Sequence, residues 1–191
     1  MKLENSNVKN PKILFNDSKI TSLFDQFQKI IKTKVPKKKF IVAISGGPDS
    51  LALAYLAKEY SIQNRINVEA IIVDHAIRKI SSQECKDTSL KLFNIGLKNT
   101  ILKIEKKISS NIQKQARDER YSLMFNFCKR KKISYLLTAH HLDDQVENFY
   151  IRLTRGSGLY GLSSMKVLDK NTKGIYVVRP FLDFKKSNLI Y

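Results

Sequence analysis

Cysteine is scarce in this 191-residue chain: Cys85 and Cys128 are the only two, far apart in sequence. Both fall inside segments of helical periodicity. Two such thiols exclude a disulfide framework and a Cys-x-x-Cys metal site, and they read as packing residues rather than nucleophiles. Acidic residues are also few, 17 Asp and Glu against 35 Lys and Arg, for a formal net charge of +18. That imbalance favours a polyanionic partner. The lysines nevertheless run from Lys2 to Lys186 without forming a tail, so a general basic bias accounts for part of the excess. Missing too are an apolar run of the ~18 residues that a membrane helix needs, a signal-peptide core after Met1-Lys2-Leu3, any internal repeat and any low-complexity tract. The expected setting is a reducing cytoplasm, with no membrane partner. A hydrophobic content of 42% and a charged content of 27% are those of a globular chain long enough for one sizeable domain.

Periodicity gives the organisation. Leu23, Phe24, Phe27, Ile30 and Ile31 fall at helical spacing between Thr21 and Lys34, and a first strand follows at Phe40–Ile44. Runs rich in β-branched residues recur at Val68–Asp74, Thr100–Ile104 and Ile133–Ala139, separated by helical segments. Strands alternating with helices of this length imply βαβ crossovers and a parallel sheet, whose ligands sit at the carboxyl ends of the strands. The helix after the second strand is expected to start with a serine cap at Ser81-Ser82 and to stop at Gly96. Leu142, Val146, Phe149, Tyr150 and Leu153 make an apolar stripe assigned to the core. Beyond a loop at 155–161, Met165–Leu168 and Ile175–Val178 read as paired strands, and Asp183 as the cap of a last helix from Phe184.

Three strand-end loops carry the chemistry. The first is Ser45-Gly46-Gly47-Pro48-Asp49-Ser50, a tight turn between strand and helix. Its two glycines supply positive φ and close backbone approach, and the head of the following helix attracts an anion. Pro48 suits a first helical position. The Ser45 and Ser50 hydroxyls can bond phosphate oxygens, and the Asp49 carboxylate makes sense with Mg²⁺ between it and the phosphates. The loop is neither a Walker sequence nor a dinucleotide fingerprint. It resembles the pyrophosphate loop of the N-type ATP pyrophosphatases.

The second loop, Asp74-His75-Ala76-Ile77-Arg78, offers an acid, an imidazole and a guanidinium suited to ribose, base or phosphate. The third, His140-His141-Leu142-Asp143-Asp144-Gln145-Val146-Glu147-Asn148, puts Asp144 and Glu147 three residues apart, where they can share a cation or an ammonium group. Asp143 and Asp144 also suit the first turn of a helix. Between these loops Ile112, Ala116, Leu123 and Phe127 form a buried helical stripe, leaving Arg117 and Arg120 as neighbours fit for phosphate.

These stretches, with Gln115-Ala116-Arg117, Arg120-Tyr121, Arg152-Leu153-Thr154-Arg155-Gly156-Ser157-Gly158, Gly161-Leu162 and Arg179-Pro180, occur in the order seen in the tRNA(Ile)-lysidine synthetases, and the chain resembles that family from about residue 38 to 186. The resemblance implies a Rossmann-like doubly wound α/β fold, with residues 1–37 an N-terminal segment and helix and residues 38–191 the catalytic domain. It implies adenylation by ATP of the C2 oxygen of the wobble cytidine in a tRNA(Ile) with a CAU anticodon. Attack by free L-lysine then forms lysidine. The catalytic set implied is Asp49, Arg117, Arg120 and Asp144. ATP would be held by Ser45, Gly46, Gly47, Pro48, Asp49, Ser50, Asp74 and His75, lysine by Asp144 and Glu147, and Mg²⁺ by Asp49.

The sequence departs from the family at Asn148, where threonine is usual, and in length, since family members continue into further tRNA-binding regions. A truncated form is therefore expected to bind ATP and RNA but to form little lysidine alone, its further partners being a second copy or a separate C-terminal chain. The alternatives are a non-catalytic ATP- and RNA-binding remnant and a tRNA thiolase, the latter disfavoured by the two cysteines.

Overall fold

The computed structural model describes residues 17–36, 39–74, 80–104, 112–156 and 163–189. Helix α1 (Ser18–Lys34) leads into strand β1 (Lys39–Ile44), followed by α2 (Pro48–Asn64), β2 (Asn67–Asp74), α3 (Ser81–Asn94), β3 (Asn99–Lys103), α4 (Ile112–Arg130), β4 (Tyr135–Leu137), α5 (Leu142–Thr154), β5 (Leu168–Lys170) and β6 (Tyr176–Val178). A 3₁₀ turn, Lys186–Asn188, lies near the end. The six strands form one sheet in the order β3-β2-β1-β4-β6-β5. All neighbours are parallel except the β5–β6 hairpin at one edge. The predicted α/β sheet is therefore present, and strand order reverses between β1 and β4.

Both faces of the sheet are covered, which is why its central strands are continuous apolar runs. Phe40, Val42 and Ile44 of β1 join Phe24, Phe27 and Ile31 of α1, Leu53 and Ala57 of α2, and Leu92 of α3 in one core. Ile41, Ile71 and Leu136 face the other way, toward Met124, Phe127 and Cys128 of α4. Phe27 also packs edge-on to Tyr60 with centroids 6.0 Å apart, so α1 shares the core of the sheet.

Three expectations about the helices change, and the hairpin strand expected at Met165–Leu168 lies at Leu168–Lys170. Ser81 and Ser82 do not cap α3: Ile80 occupies the cap position without a side-chain bond, because both serine hydroxyls donate to the buried Asp74 carboxylate instead. The far end is as read, with Gly96 at φ +70°. No helix begins at Phe184 under an Asp183 cap. Phe181, Phe184 and Leu189 are pulled into the core, and the only helical turn among residues 184–189 is the 3₁₀ turn Lys186–Asn188. The N–H of Lys186 is instead met by Asp143 Oδ2 at 2.7 Å.

The third change concerns α5, which buries none of its residues. Its first turn is fastened by polar bonds to the C-terminal segment, Leu142 N to Phe184 O at 2.9 Å and Gln145 Nε2 to Leu182 O at 3.3 Å. The stripe Val146, Phe149, Tyr150 and Leu153 faces outward, Tyr150 with 59% of its surface exposed. Among the described residues no helix is long and apolar enough to cross a membrane.

Candidate active site

The turn after β1 is built on one obligatory glycine. Gly46 has φ +90°, and a Cβ there would lie 2.8 Å from Thr88 Oγ1 of α3, so conformation and space both require glycine. Gly47 differs from expectation. Its φ of −73° and ψ of 163° are ordinary extended backbone at the cap of α2, and a Cβ would meet only Ser45 Oγ, at 3.8 Å. What Gly47 keeps open is the space over the helix head, where backbone N–H groups attract an anion. Pro48 takes the first helical position. Ser50 is a staple inside the turn: its hydroxyl donates to Gly47 O at 2.9 Å and accepts from Ser45 N at 3.2 Å.

Asp49 follows in the first turn of α2. Its Oδ1 is buried with no partner, and its Oδ2 lies 3.6 Å from His141 Nε2. A carboxylate oxygen closed off from water and left unpaired is costly, and a cation offsets that cost. No described group of three or more His, Cys, Asp or Glu side chains is arranged to hold a metal alone. This fits Mg²⁺, which commonly takes one or two carboxylates together with phosphate oxygens and water.

His141 caps α5. Its ring Nδ1 accepts from the backbone N–H of Asp144 at 3.3 Å while the backbone N–H of His141 donates to Asp144 Oδ2 at 2.9 Å, a reciprocal capping box. With Nδ1 accepting, Nε2 is the ring nitrogen turned toward Asp49. Sequence reasoning gave this buried histidine no role of its own. Its available signal was an acceptor at the cap position with an acid three residues on. Asp144 thus uses one oxygen to fix its helix, and Asp143 points away to Lys186. The backbone N–H of Lys186 holds the Asp143 carboxyl below its usual range.

Two arginines approach from α4. Both stack on Tyr121, the Arg117 carbon Cζ 5.3 Å and that of Arg120 5.7 Å from the ring centroid. Neither forms an ion pair with a carboxylate of the described residues. Burial lowers the Arg120 pKa, and Arg117 adds to the effect. His140, bonded through Nδ1 to Thr138 Oγ1 at 2.9 Å, has its pKa brought down to about 4, by burial first, then by the charges of Arg179 and Arg117, against an opposing Asp144. It is a neutral imidazole at physiological pH.

One cavity of about 260 Å³ gathers Ser45, Asp49, Ser50, Arg120, Tyr121, Thr138, His140, His141 and Asp144 around the ends of β1, β2 and β4. It opens at the point where strand order reverses, the expected ligand position in such a sheet. Gly46, Gly47 and Pro48 form the turn beside it, and Arg117 lies one helical turn before Arg120. Glu147 is exposed a turn beyond Asp144 and outside the cavity wall. Asp74 is 1% exposed and anchors α3 through Ser81 and Ser82, while His75 and Arg78 lie outside the described residues. Neither thiol lines the cavity. Burial pushes Cys128 up to about 12 and also raises Cys85, with Asp74 and Glu84 adding to the latter, so neither is poised as a thiolate.

The family model described as a PP-loop domain, ATP_bind_3, matches residues 18–191. The chain is 41% identical over 152 residues to a tRNA(Ile)-lysidine synthase of Orientia tsutsugamushi, covering 79% of this chain and 34% of that protein. It is 39% identical over 172 residues to one of Rickettsia rickettsii, covering 88% and 36%. It thus spans about a third of the length of the curated relatives it matches. Among solved structures, a U34-tRNA thiolase from Methanococcus maripaludis superposes with a TM-score of 0.73 at 21% identity, over 90% of this chain and 62% of that one. An NH3-dependent NAD synthetase from Campylobacter jejuni does so at 0.52 and 17%, over 90% and 69%. At such identities these structures establish a shared fold alone. Turn, sheet order and family match agree, and the chain belongs to the PP-loop domain family.

Proposed function

We propose that this chain is the catalytic part of an ATP-dependent ligase that joins lysine to C2 of the wobble cytidine of tRNA(Ile), forming lysidine. The observation that carries the reading is the cavity at the strand ends, which sets the turn at 45–50, Arg120 and Asp144 around one space. It is supported by the lysidine synthase name of relatives near 40% identity.

The reaction has two steps. The cytidine C2 oxygen attacks the α-phosphorus of ATP, breaking the α–β bond and releasing pyrophosphate. The lysine ε-amine then attacks C2, and AMP departs with the oxygen. The turn at Gly46 and Gly47 and the head of α2 receive the pyrophosphate portion. Asp49 would hold Mg²⁺ through its unpartnered oxygen, and the ion would neutralise charge on the phosphates. Arg120, with Arg117 behind it, faces the α-phosphate, where fixed cations stabilise the crowded negative charge of the transition state. Neutral His140 can exchange a hydrogen bond there without adding charge. Asp144, with Glu147 one turn on, draws the lysine ammonium group and accepts the proton that the amine must lose before it attacks. The basic surface supplies RNA affinity that is largely independent of sequence.

The test uses ATP labelled at the α-phosphate, with tRNA(Ile) and with or without L-lysine. The label should accumulate on the tRNA when lysine is left out and leave as AMP when lysine is added. Release as ADP would rule out α–β cleavage and with it this reading.

A further inference from the structure

Burying a charge is costly unless an opposite charge meets it, and Arg179 is a buried cation without such a partner among the described residues. It is 8% exposed. Its Nη1 donates to the main-chain oxygen of Lys166 at 2.8 Å, while its Nε is closed off from solvent and has no acceptor. No carboxylate of the described residues pairs with it. One carbonyl answers one of the five donors of a guanidinium and none of its charge.

Its place in the fold says what kind of group is missing. Thr138 N bonds Val178 O at 2.9 Å, so Arg179 stands at the carboxyl end of β6 beside the Thr138–His140 end of β4. The bond from Arg179 N to Val167 O at 2.8 Å continues the hairpin ladder through this residue. Strand alternation therefore puts Arg179 on the same face as Ile175, which packs against Met124 and Phe127 of α4. That is the side from which Arg120 enters the cavity, opposite the face on which α2 packs. The effect of Arg179 and Arg117 on the proton affinity of His140 records the same convergence of positive charge.

We infer that Arg179, which stands outside the cavity wall but beside its Thr138–His140 edge, forms together with Arg120 a second phosphate-binding subsite on the α4 side, separate from the turn at 45–50. The inference rests on the ATP-site reading above. A phosphate ester fits this site, because its oxygens accept the paired donors of a guanidinium and its charge offsets the buried cation. Two sources offer that group, the phosphate of the nucleotide itself and a backbone phosphate of RNA.

The experiment compares the parent chain with Arg179→Met, and with Arg179→Lys as a variant that keeps the charge but not the fork. Thermal melting without ligand is measured first, then affinities for AMP, for pyrophosphate and for a short cytidine-containing RNA. Arg179→Met should melt no lower than the parent, since losing an unpaired buried charge offsets losing the bond to the Lys166 oxygen. Its pyrophosphate affinity should be unchanged, and its affinity for either AMP or RNA should fall at least tenfold, with Arg179→Lys in between. Loss on AMP assigns the subsite to the nucleotide; loss on RNA assigns it to the backbone. A lower melting temperature with all three affinities unchanged would make Arg179 a strap for the hairpin and overturn the subsite. A parent chain that binds no Mg-ATP would sink the functional reading and the subsite with it, an outcome distinct from one in which parent and variants bind alike.

Discussion

Adjacent glycines in the 45–50 turn should respond to the same substitution in opposite ways. In Gly46→Ala the new methyl meets Thr88 Oγ1 at 2.8 Å at a residue whose φ is +90°. The backbone conformation costs about 1–2 kcal/mol for a residue with a Cβ, and the steric conflict adds about 1–3 kcal/mol. A total of about 2–5 kcal/mol corresponds to a fall in melting temperature of roughly 5–20 °C for a domain of this size. Combining it with Thr88→Ala removes the clashing oxygen, so a double-mutant cycle should return a coupling of about 1 kcal/mol or more. In Gly47→Ala the backbone is ordinary and the nearest contact is 3.8 Å, so stability should stay within about 0.5 kcal/mol of the parent. The methyl does intrude on the space over the α2 head, and Mg-ATP affinity should fall at least tenfold, about 1.4 kcal/mol. Thermal denaturation and calorimetric titration separate the two effects. Gly47→Ala that binds ATP normally would refute the argument that phosphate approaches this backbone, and additive Gly46 and Thr88 effects would refute the steric account.

Asp49→Asn should abolish pyrophosphate release while leaving the fold intact, because Asp49 Oδ1 has no partner to lose; turnover near normal would remove Asp49 from the mechanism. Glu147→Gln should weaken lysine binding more than ATP binding, as measured by titration with each, and equal losses would make Glu147 structural. His140 is neutral in the folded chain down to about pH 4 and titrates near 6.5 when unfolded. The unfolded state therefore binds more protons in that window, and stability should fall as pH drops from 6.5 to 4, by on the order of 3 kcal/mol. His140→Gln should flatten that part of the curve, and an NMR titration placing the His140 pKa near 6.5 would contradict the burial argument. RNA affinity should drop steeply as salt rises, whereas a flat dependence would leave the net charge of +18 without a role in binding.

Much of this molecule is legible in its sequence, for physical reasons that differ from place to place. The sheet could be read because its central strands, buried on both faces, carry nearly continuous apolar runs, Phe40–Ile44 and Ala70–Val73. The 45–50 turn could be read because φ and space at Gly46 admit one residue type. The α5 stripe misled because periodicity reports that a face is apolar without reporting what covers it, and here Leu182, Phe184 and Lys186 hold the first turn of the helix while Arg152 bonds the Ser163 oxygen from its last. Asp183 and the serines at 81–82 misled for a related reason. Capping residues are recognised locally, yet the carboxylate that meets Lys186 comes from Asp143, 43 residues earlier, and the serine hydroxyls are drawn to Asp74. Arg179 and His141 stand in the sequence motifs without a role of their own, because burial, which no local pattern encodes, is what gives each its significance.

The central claim is that this cavity activates a tRNA cytidine by cleaving ATP between its α and β phosphates. ATP–pyrophosphate exchange measures that step directly. With Mg-ATP and tRNA(Ile) carrying a CAU anticodon, the account predicts label moving from pyrophosphate into ATP, lost in Asp49→Asn and lost again when uridine replaces the wobble cytidine. Exchange that is indifferent to the wobble base, or ATP binding with no exchange in the presence of that tRNA, would contradict it.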